Sequence, residues 1–160
     1  MSQTEYKNFK FEIIKIFGVD TNDVQLATFN FISNAAKIDM SNCELYNPKG
    51  MSPHYQSDEG DYIDHRVNKL KDGNVETKFL DSNFKKNKKS EVNFQFENNV
   101  KIDAYEWYTA NDLQERDPKC WKLYGSNDYI KWVLLDEQTN ISNSDRRAKM
   151  GPYKLKTHLT

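Results

Sequence analysis

The chain has 160 residues and a formal net charge of -1, with 23 lysine and arginine residues against 24 aspartate and glutamate residues. This length suits one domain, and folding at this size buries roughly 70% of the unfolded surface, so that neither disulfide nor metal is needed for the core. The balanced charge gives no general attraction to nucleic acid or to an anionic membrane, and no nucleic-acid partner is expected. The two cysteines, Cys43 and Cys120, are expected to be reduced thiols.

The N-terminus lacks the unbroken apolar run of a signal peptide, since Glu5 and alternating charges interrupt it. No run in the chain approaches the roughly 18 apolar residues of a membrane span. We therefore expect no membrane span and a location in the cytoplasm or in a virion. Residues 1–8 are expected to be flexible, and residues 1–160 to form a single domain.

Two strands are predicted near the N-terminus, because apolar residues alternate there with polar ones. The alternating apolar residues are Phe9, Phe11 and Ile13 in the first run and Ala27, Phe29 and Phe31 in the second. Each run places its apolar side chains on one face of a half-buried strand.

The polar segment 33–68 shows no periodicity, and a loop of this length is usually functional or disordered. Its aromatic residues favour function, because disordered segments are poor in rings. A glycan site needs aromatic faces beside side chains that donate and accept hydrogen bonds. We predict that His54, Tyr55 and Tyr62, with Arg147 from a later polar loop, bind a ligand; the alternative is that each is a surface side chain without one.

Oxygen-bearing side chains are concentrated in residues 70–81, LKDGNVETKFLD. Asp72, Asn74 and Thr77 offer a carboxylate, an amide carbonyl and a hydroxyl, and Gly73 permits a tight bend. These atoms suit a structural Ca²⁺ site. They also suit an Asx-type turn without metal, and both interpretations stand.

Further strands are predicted in the second half of the chain, at Val92 to Phe96, at Tyr105 to Thr109 and on both sides of the GSND sequence at 125–128, which is typical of a hairpin. The residues expected to be predominantly buried are Phe94, Trp107, Trp121, Leu123 and Trp132. The fold class predicted from these elements is an all-β antiparallel sandwich.

The loop between Asn111 and Pro118 is rich in charge. We predict that Arg116 forms a bidentate ion pair with Asp112 or Asp117, in preference to a catalytic pair of carboxylates. The sequence contains no GxSxG, HExxH, CxxC, P-loop or GxGxxG motif, and its three histidines lie far apart. On these grounds the chain is predicted not to be an enzyme.

Two stretches resemble the discoidin, or coagulation factor 5/8 type C, group of galactose-binding-like domains. WKLYGSNDYIKWVLLDE, at 121–137, resembles the central hairpin of the group, and the DGN loop resembles its DGN-x-x-T-x-W signature, with Phe79 in place of the usual tryptophan. The resemblance implies a jelly-roll sandwich and a structural Ca²⁺ in the DGN loop. Thr28 stands where relatives commonly carry an acidic residue that contributes to the metal site.

The segment 9–33 resembles the pair of strands that usually closes such a domain at its C-terminus. Here these strands come first. The resemblance therefore implies a circular permutation, in which the strands keep their places and the break in the chain has moved.

Two functions are consistent with the sequence. The first is a non-catalytic recognition module that binds a glycan or a protein surface through loops at one end of the sandwich. The alternative is a structural or assembly component of a large particle such as a virion, as a minor capsid or surface protein. The alternative is favoured by a domain that stands alone with its own Met1 and without an export signal.

Overall fold

The computed structural model describes residues 5–156, and nearly all of its regular elements are antiparallel strands, which confirms the predicted all-β sandwich. The strands are β1 (Glu5–Ile16), β2 (Val24–Leu26), β3 (Phe29–Ser33), β4 (Ala36–Lys37), β5 (Cys43–Tyr46), β6 (His54–Gln56), β7 (Tyr62–Asp64), β8 (Phe79–Asp81), β9 (Ser90–Lys101), β10 (Ala104–Tyr108), β11 (Pro118–Ser126), β12 (Val133–Gln138) and β13 (Lys149–Lys154). The helical segments of these residues are α1 (Phe84–Asn87) and two 3₁₀ turns, Val67–Lys71 and Gln114–Arg116. None of the helices in this range has the length and apolar character to cross a membrane.

Two sheets form the sandwich. One has the strand order β12-β11-β1-β9-β5 and the other has the order β13-β10-β3-β4. Two short strand pairs, β2 with β8 and β6 with β7, complete the pairing. The strand that begins the chain lies at the centre of the larger sheet, and its pairing with β11 confirms the prediction that this segment packs beside strands far away in sequence.

Aromatic rings fill the space between the sheets. Phe9 and Phe11 of β1 face Phe31 and Phe29 of β3, with ring centroids 4.8 and 5.0 Å apart. These four rings are fully buried, because alternation along each strand turns them toward the opposite sheet. The predicted core positions Phe94, Trp107, Trp121 and Leu123 are also fully buried.

Residues 5–8 belong to β1 and are not a flexible leader. Glu5 pairs with Lys101 of β9, and Asn8 pairs with Ser126 of β11. Neighbouring strands on both sides therefore order this part of the predicted flexible segment, while residues 1–4 lie outside the described residues.

The predicted hairpin between β11 and β12 is present, but its turn lies later than expected. Gly125 is part of β11, where a Cβ atom would stand 2.6 Å from the ring of Tyr6, so that the ring requires glycine at this position. The left-handed residue is Tyr129, with φ of 64°, in a turn over residues 127–132.

The prediction that Trp132 is predominantly buried is wrong. This longer turn keeps Trp132 out of the core and leaves it half-buried. Its ring packs 5.1 Å from that of Tyr129, and Lys10 Nζ lies 4.5 Å from its centroid. Lys10 alternates with the core residues of β1, so Trp132 covers the outer face of the sheet.

Candidate functional site

One end of the sandwich carries most of the predicted site residues, and we call it the loop end. It comprises residues 17–23, 54–65, 72–78, 109–117 and 143–148. Backbone hydrogen bonds join three of these segments: Gly18 N donates to Glu115 O at 2.8 Å, and Arg147 N donates to Ala110 O at 3.1 Å.

A cleft of about 410 Å³ opens at the loop end. It is lined by residues 62–65, from β7 and the residue after it, by residues 76–78, and by Asn111 and Asp112. Its volume lies in the range of small-molecule sites, and most of its side chains are polar.

An ion pair between Lys78 and Asp112 crosses the cleft. Lys78 Nζ lies 3.1 Å from Asp112 Oδ1, and the Lys78 side chain is only 11% exposed. The buried Gln25 donates from Nε2 to the same oxygen at 3.0 Å and to the backbone oxygen of Asp112 at 2.6 Å. Burial acts to raise the pKa of Asp112, but hydrogen bonds from Gln25 and Lys78 outweigh it and the pKa is lowered. Asp112 is therefore ionised and fixed in place at neutral pH.

The other two carboxylates of the lining are also paired. Asp64 accepts two hydrogen bonds from the Arg66 guanidinium, at 2.9 and 3.0 Å, and these bonds lower the pKa of Asp64. Glu76 Oε2 lies 3.0 Å from Arg147 Nη2, and both side chains of this pair are exposed to solvent. The Asp64 pair is thus the more rigid of the two.

His65 lies beside the pair of Lys78 and Asp112. Burial lowers the pKa of His65, and the nearby Lys78 cation acts in the same direction. The imidazole is therefore neutral at pH 7. Its Nδ1 atom is buried and has no hydrogen-bond partner within residues 5–156.

The structure brings together only some of the predicted ligand-binding residues. Tyr62 lines the cleft and is 64% exposed, and Arg147 reaches its rim through Glu76. Tyr55 and His54 lie on the neighbouring strand β6 and do not line the cleft. Tyr55 pairs with Ile63, the residue after Tyr62. Because side chains alternate along a strand, Tyr55 and Tyr62 project from opposite faces of the two strands.

The predicted metal residues lie close together in a turn after the first 3₁₀ segment. Asp72 accepts a hydrogen bond from Asn74 N at 2.9 Å and another from the Thr77 hydroxyl. Asn74 Oδ1 accepts from Glu76 N at 2.9 Å. These oxygens already accept hydrogen bonds from donors within the turn. Within the described residues, no group of three or more histidine, cysteine, aspartate and glutamate side chains is placed to hold a metal ion.

Thr28, where the resemblance implies an acidic ligand, donates to Leu70 O at 3.0 Å, just before this turn. Its hydroxyl supplies no negative charge, so Asp72 is the charged member of the predicted set. Calcium binding stays a prediction.

The predicted partners of Arg116 are wrong. Arg116 Nη2 lies 3.3 Å from Asp23 Oδ2. Asp117 is paired instead with Arg146, whose Nη1 donates to Asp117 Oδ1 at 3.0 Å. Asp117 is buried, and Arg146 approaches it from the loop that precedes β13. Pairing follows the spatial arrangement of the loops and not the distance along the chain.

The two cysteines lie on separate strands, Cys43 in β5 and Cys120 in β11, and both are free thiols. Burial raises the pKa of Cys43 to about 12, which keeps it protonated at neutral pH. Cys120 is half-buried, and its Sγ accepts a hydrogen bond from Asn140 N at 3.4 Å.

Sequence reasoning missed several residues of the cleft. Glu76 and Lys78 lie within the DGN segment but are not part of its signature. His65 lies at the end of the aromatic loop and belongs to no motif. Asp112 lies in the predicted charged loop, but its partner is Lys78 and not Arg116. These residues are all polar and lie near the ends of strands. The sequence does not show which strands are neighbours, so it does not show that these residues meet.

No protein-family model and no solved structure matches the chain. A segment of 55 residues is 47% identical to part of a peptide-N(4)-(N-acetyl-beta-glucosaminyl)asparagine amidase of Arabidopsis thaliana. The match covers 34% of this chain and 8% of that protein, so the chain spans less than a tenth of the length of the relative it matches.

This comparison contradicts the prediction that the chain is not an enzyme, because the similar protein is named as an amidase. The absence of common catalytic motifs does not exclude catalysis, because those motifs describe only the commonest kinds of active site. The name of that relative specifies an N-acetylglucosaminyl-asparagine linkage. The predicted virion or assembly role and the predicted lack of a nucleic-acid partner stay predictions.

Proposed function

We propose that the chain recognises glycans in the cleft at the loop end. The observation that carries the proposal is a cleft of about 410 Å³ in which an exposed tyrosine ring stands beside fixed hydrogen-bonding groups. The partial similarity to an amidase whose name specifies an N-acetylglucosaminyl-asparagine linkage points to the same class of ligand.

The polar lining suits sugar hydroxyls, which both donate and accept hydrogen bonds. The Asp112 carboxylate has about four acceptor positions, and Gln25 and Lys78 both donate to its Oδ1. Asn111 is exposed at the cleft and carries an amide that can donate and accept. Because Gln25 and Lys78 hold Asp112 in place, little side-chain freedom is lost when a ligand binds.

The ring of Tyr62 supplies the apolar part of the site. A sugar ring has an apolar face of C–H groups, and an exposed aromatic side chain is a flat surface against which such a face can pack. If contact removes ~50 Å² of ring from water at roughly 25 cal/mol per Å², it contributes about 1.3 kcal/mol, which is close to tenfold in affinity.

The test is a titration with N-acetylglucosamine linked to the asparagine of a short neutral peptide whose termini are blocked. Calorimetry should show binding to the wild-type chain and a loss of about tenfold in Tyr62→Ala. The matched control is Tyr55→Ala, which removes a ring of similar exposure, 55% against 64%, from the opposite face of the same pair of strands. Equal losses in the two variants, or no binding to the wild type, would contradict the proposal.

A further inference from the structure

We infer that the cleft selects uncharged glycans and discriminates against those that carry sulfate, phosphate or carboxylate groups, an inference that rests on the function proposed above. Its basis is the pairing of charge in the lining. Asp64, Glu76 and Asp112 each have a cationic nitrogen within 3.1 Å, supplied by Arg66, Arg147 and Lys78.

The pair of Lys78 and Asp112 decides the behaviour of the cleft toward anions. Lys78 is the cation of the lining, and 89% of its side chain is removed from solvent beside the carboxylate. An anionic ligand would have to take Lys78 from Asp112, and Asp112 would remain nearby because Gln25 holds it. The ligand would thus gain the attraction of Lys78 but would be repelled by the Asp112 carboxylate, which would have lost its cation.

The rim does not change this conclusion. Arg66 donates two hydrogen bonds to Asp64, and Lys69 Nζ lies 3.7 Å from the same carboxylate. Arg147 is paired with Glu76 at 3.0 Å, and its side chain is 42% exposed. This last pair is the weakest, because solvent screens it, so Arg147 is the rim cation most easily drawn to an anion.

A neutral sugar avoids these conflicts. Its hydroxyls can donate to carboxylate lone pairs that the cations leave unused, and can accept from the amide of Asn111, while the ion pairs stay closed. A cationic ligand meets carboxylates that are already neutralised, so it gains little over a neutral one. The arrangement therefore favours hydroxyl and acetamido groups over charged ones.

The experiment compares the neutral blocked glycopeptide with its 6-O-sulfated form, titrated into the wild-type chain by calorimetry at physiological salt. The neutral form should bind about tenfold more tightly or better. If neither form binds, the proposed function falls and the inference with it. If the sulfated form binds equally well or more tightly, glycan recognition stands and the inference is overturned.

Asp112→Asn tests the assignment to the ion pair. Removing the carboxylate frees Lys78, so the preference for the neutral form should shrink by about fivefold or reverse. Asp20→Asn is the matched control, because it makes the same charge change beside Lys85, at 2.6 Å and away from the cleft lining. An unchanged ratio in a folded Asp112→Asn overturns the assignment. If that variant does not fold, Glu76→Gln tests the pairing of charge at the rim, because it frees the exposed Arg147. The ratio should shift in the same direction, and an unchanged ratio would overturn the inference that paired charge sets the preference.

Discussion

The interior of the sandwich and its loop end are stabilised by different kinds of contact. In the interior, rings from opposite sheets touch, as Trp107 and Trp121 do at 5.3 Å between centroids. At the loop end, charged side chains from separate loops pair, as Arg146 does with Asp117. Ring packing excludes solvent and is spread over many residues. An ion pair depends on a few atoms in a specific geometry. The interior therefore defines the fold, and the loop end can vary in chemistry on the same scaffold.

The largest effect is expected from Trp121→Ala, which removes a fully buried ring that contacts Phe11, Trp107 and Tyr153. It also removes the hydrogen bond from Trp121 Nε1 to the Tyr105 hydroxyl, at 2.8 Å. The free energy of unfolding should fall by about 3 to 5 kcal/mol in a urea titration. Trp132→Ala is the control and should lose less than about 1 kcal/mol, because Trp132 lies outside the core. Similar losses at the two positions would remove the distinction between the interior and the surface.

Arg146→Ala should have the next largest effect. Arg146 is 22% exposed and pairs with a carboxylate that is 4% exposed, so truncation leaves Asp117 buried without its guanidinium. A loss of about 3 kcal/mol in the free energy of unfolding is expected. The neighbouring Arg147→Ala breaks a pair that is exposed on both sides, and should lose less than about 0.5 kcal/mol. If the two variants unfold at the same urea concentration, burial does not determine the strength of ion pairs at the loop end.

A smaller effect is expected from calcium. If Asp72, Asn74 and Thr77 hold Ca²⁺ with a millimolar dissociation constant, roughly 5 mM Ca²⁺ stabilises the fold by about 1 kcal/mol. Such a gain raises Tm by about 2 to 4 °C in a thermal melt. Asp72→Asn keeps an acceptor for the turn and should abolish the rise, and Mg²⁺ should not reproduce it. Identical melts of the wild type in Ca²⁺ and in chelator would show that this segment is a turn that does not bind calcium.

The smallest effect is a pH dependence at His65. Its pKa in the folded chain lies below the ordinary value of 6.5, because burial and then Lys78 disfavour the charged form. As the pH falls through 6.5, the unfolded chain takes up a proton that the folded chain does not, so the free energy of unfolding declines. Thermal melts between pH 7.5 and 5.5 should show a shallower decline in His65→Gln. His54→Gln, at an exposed position, should keep the wild-type slope. Equal slopes in all three proteins would show that His65 does not contribute.

The interior was largely predictable from the sequence, because alternation of apolar residues is a local signal. Phe9, Phe11 and Ile13 mark β1 and its inward face without any knowledge of the other strands. The same signal failed at Trp132, where a six-residue turn replaced the short one that GSND suggested. Gly125 lies within β11 against the ring of Tyr6 and not in the turn, and a contact between residues so far apart in sequence leaves no local trace.

The loop end was less predictable, because its contacts join segments that only the folded chain brings together. Lys78 and Asp112 are 34 residues apart, and Arg146 and Asp117 are 29 apart. Nothing near Asp117 in the sequence distinguishes Arg146 from the adjacent Arg116 as its partner. Composition could indicate a polar, aromatic site, but the choice of partners depends on which loops meet.

The central position of β1 has a consequence for how the chain folds as it is synthesised. β1 leaves the ribosome before its partners β9 and β11, and Asn8 lies 118 residues from its partner Ser126. Contacts of such long range slow folding, since the entropy of closing the long intervening loop is lost before the contact is gained. Until β11 emerges, an apolar strand with both edges unpaired is present in the nascent chain. The most central strand of the mature protein is thus the one that a chaperone has most reason to hold.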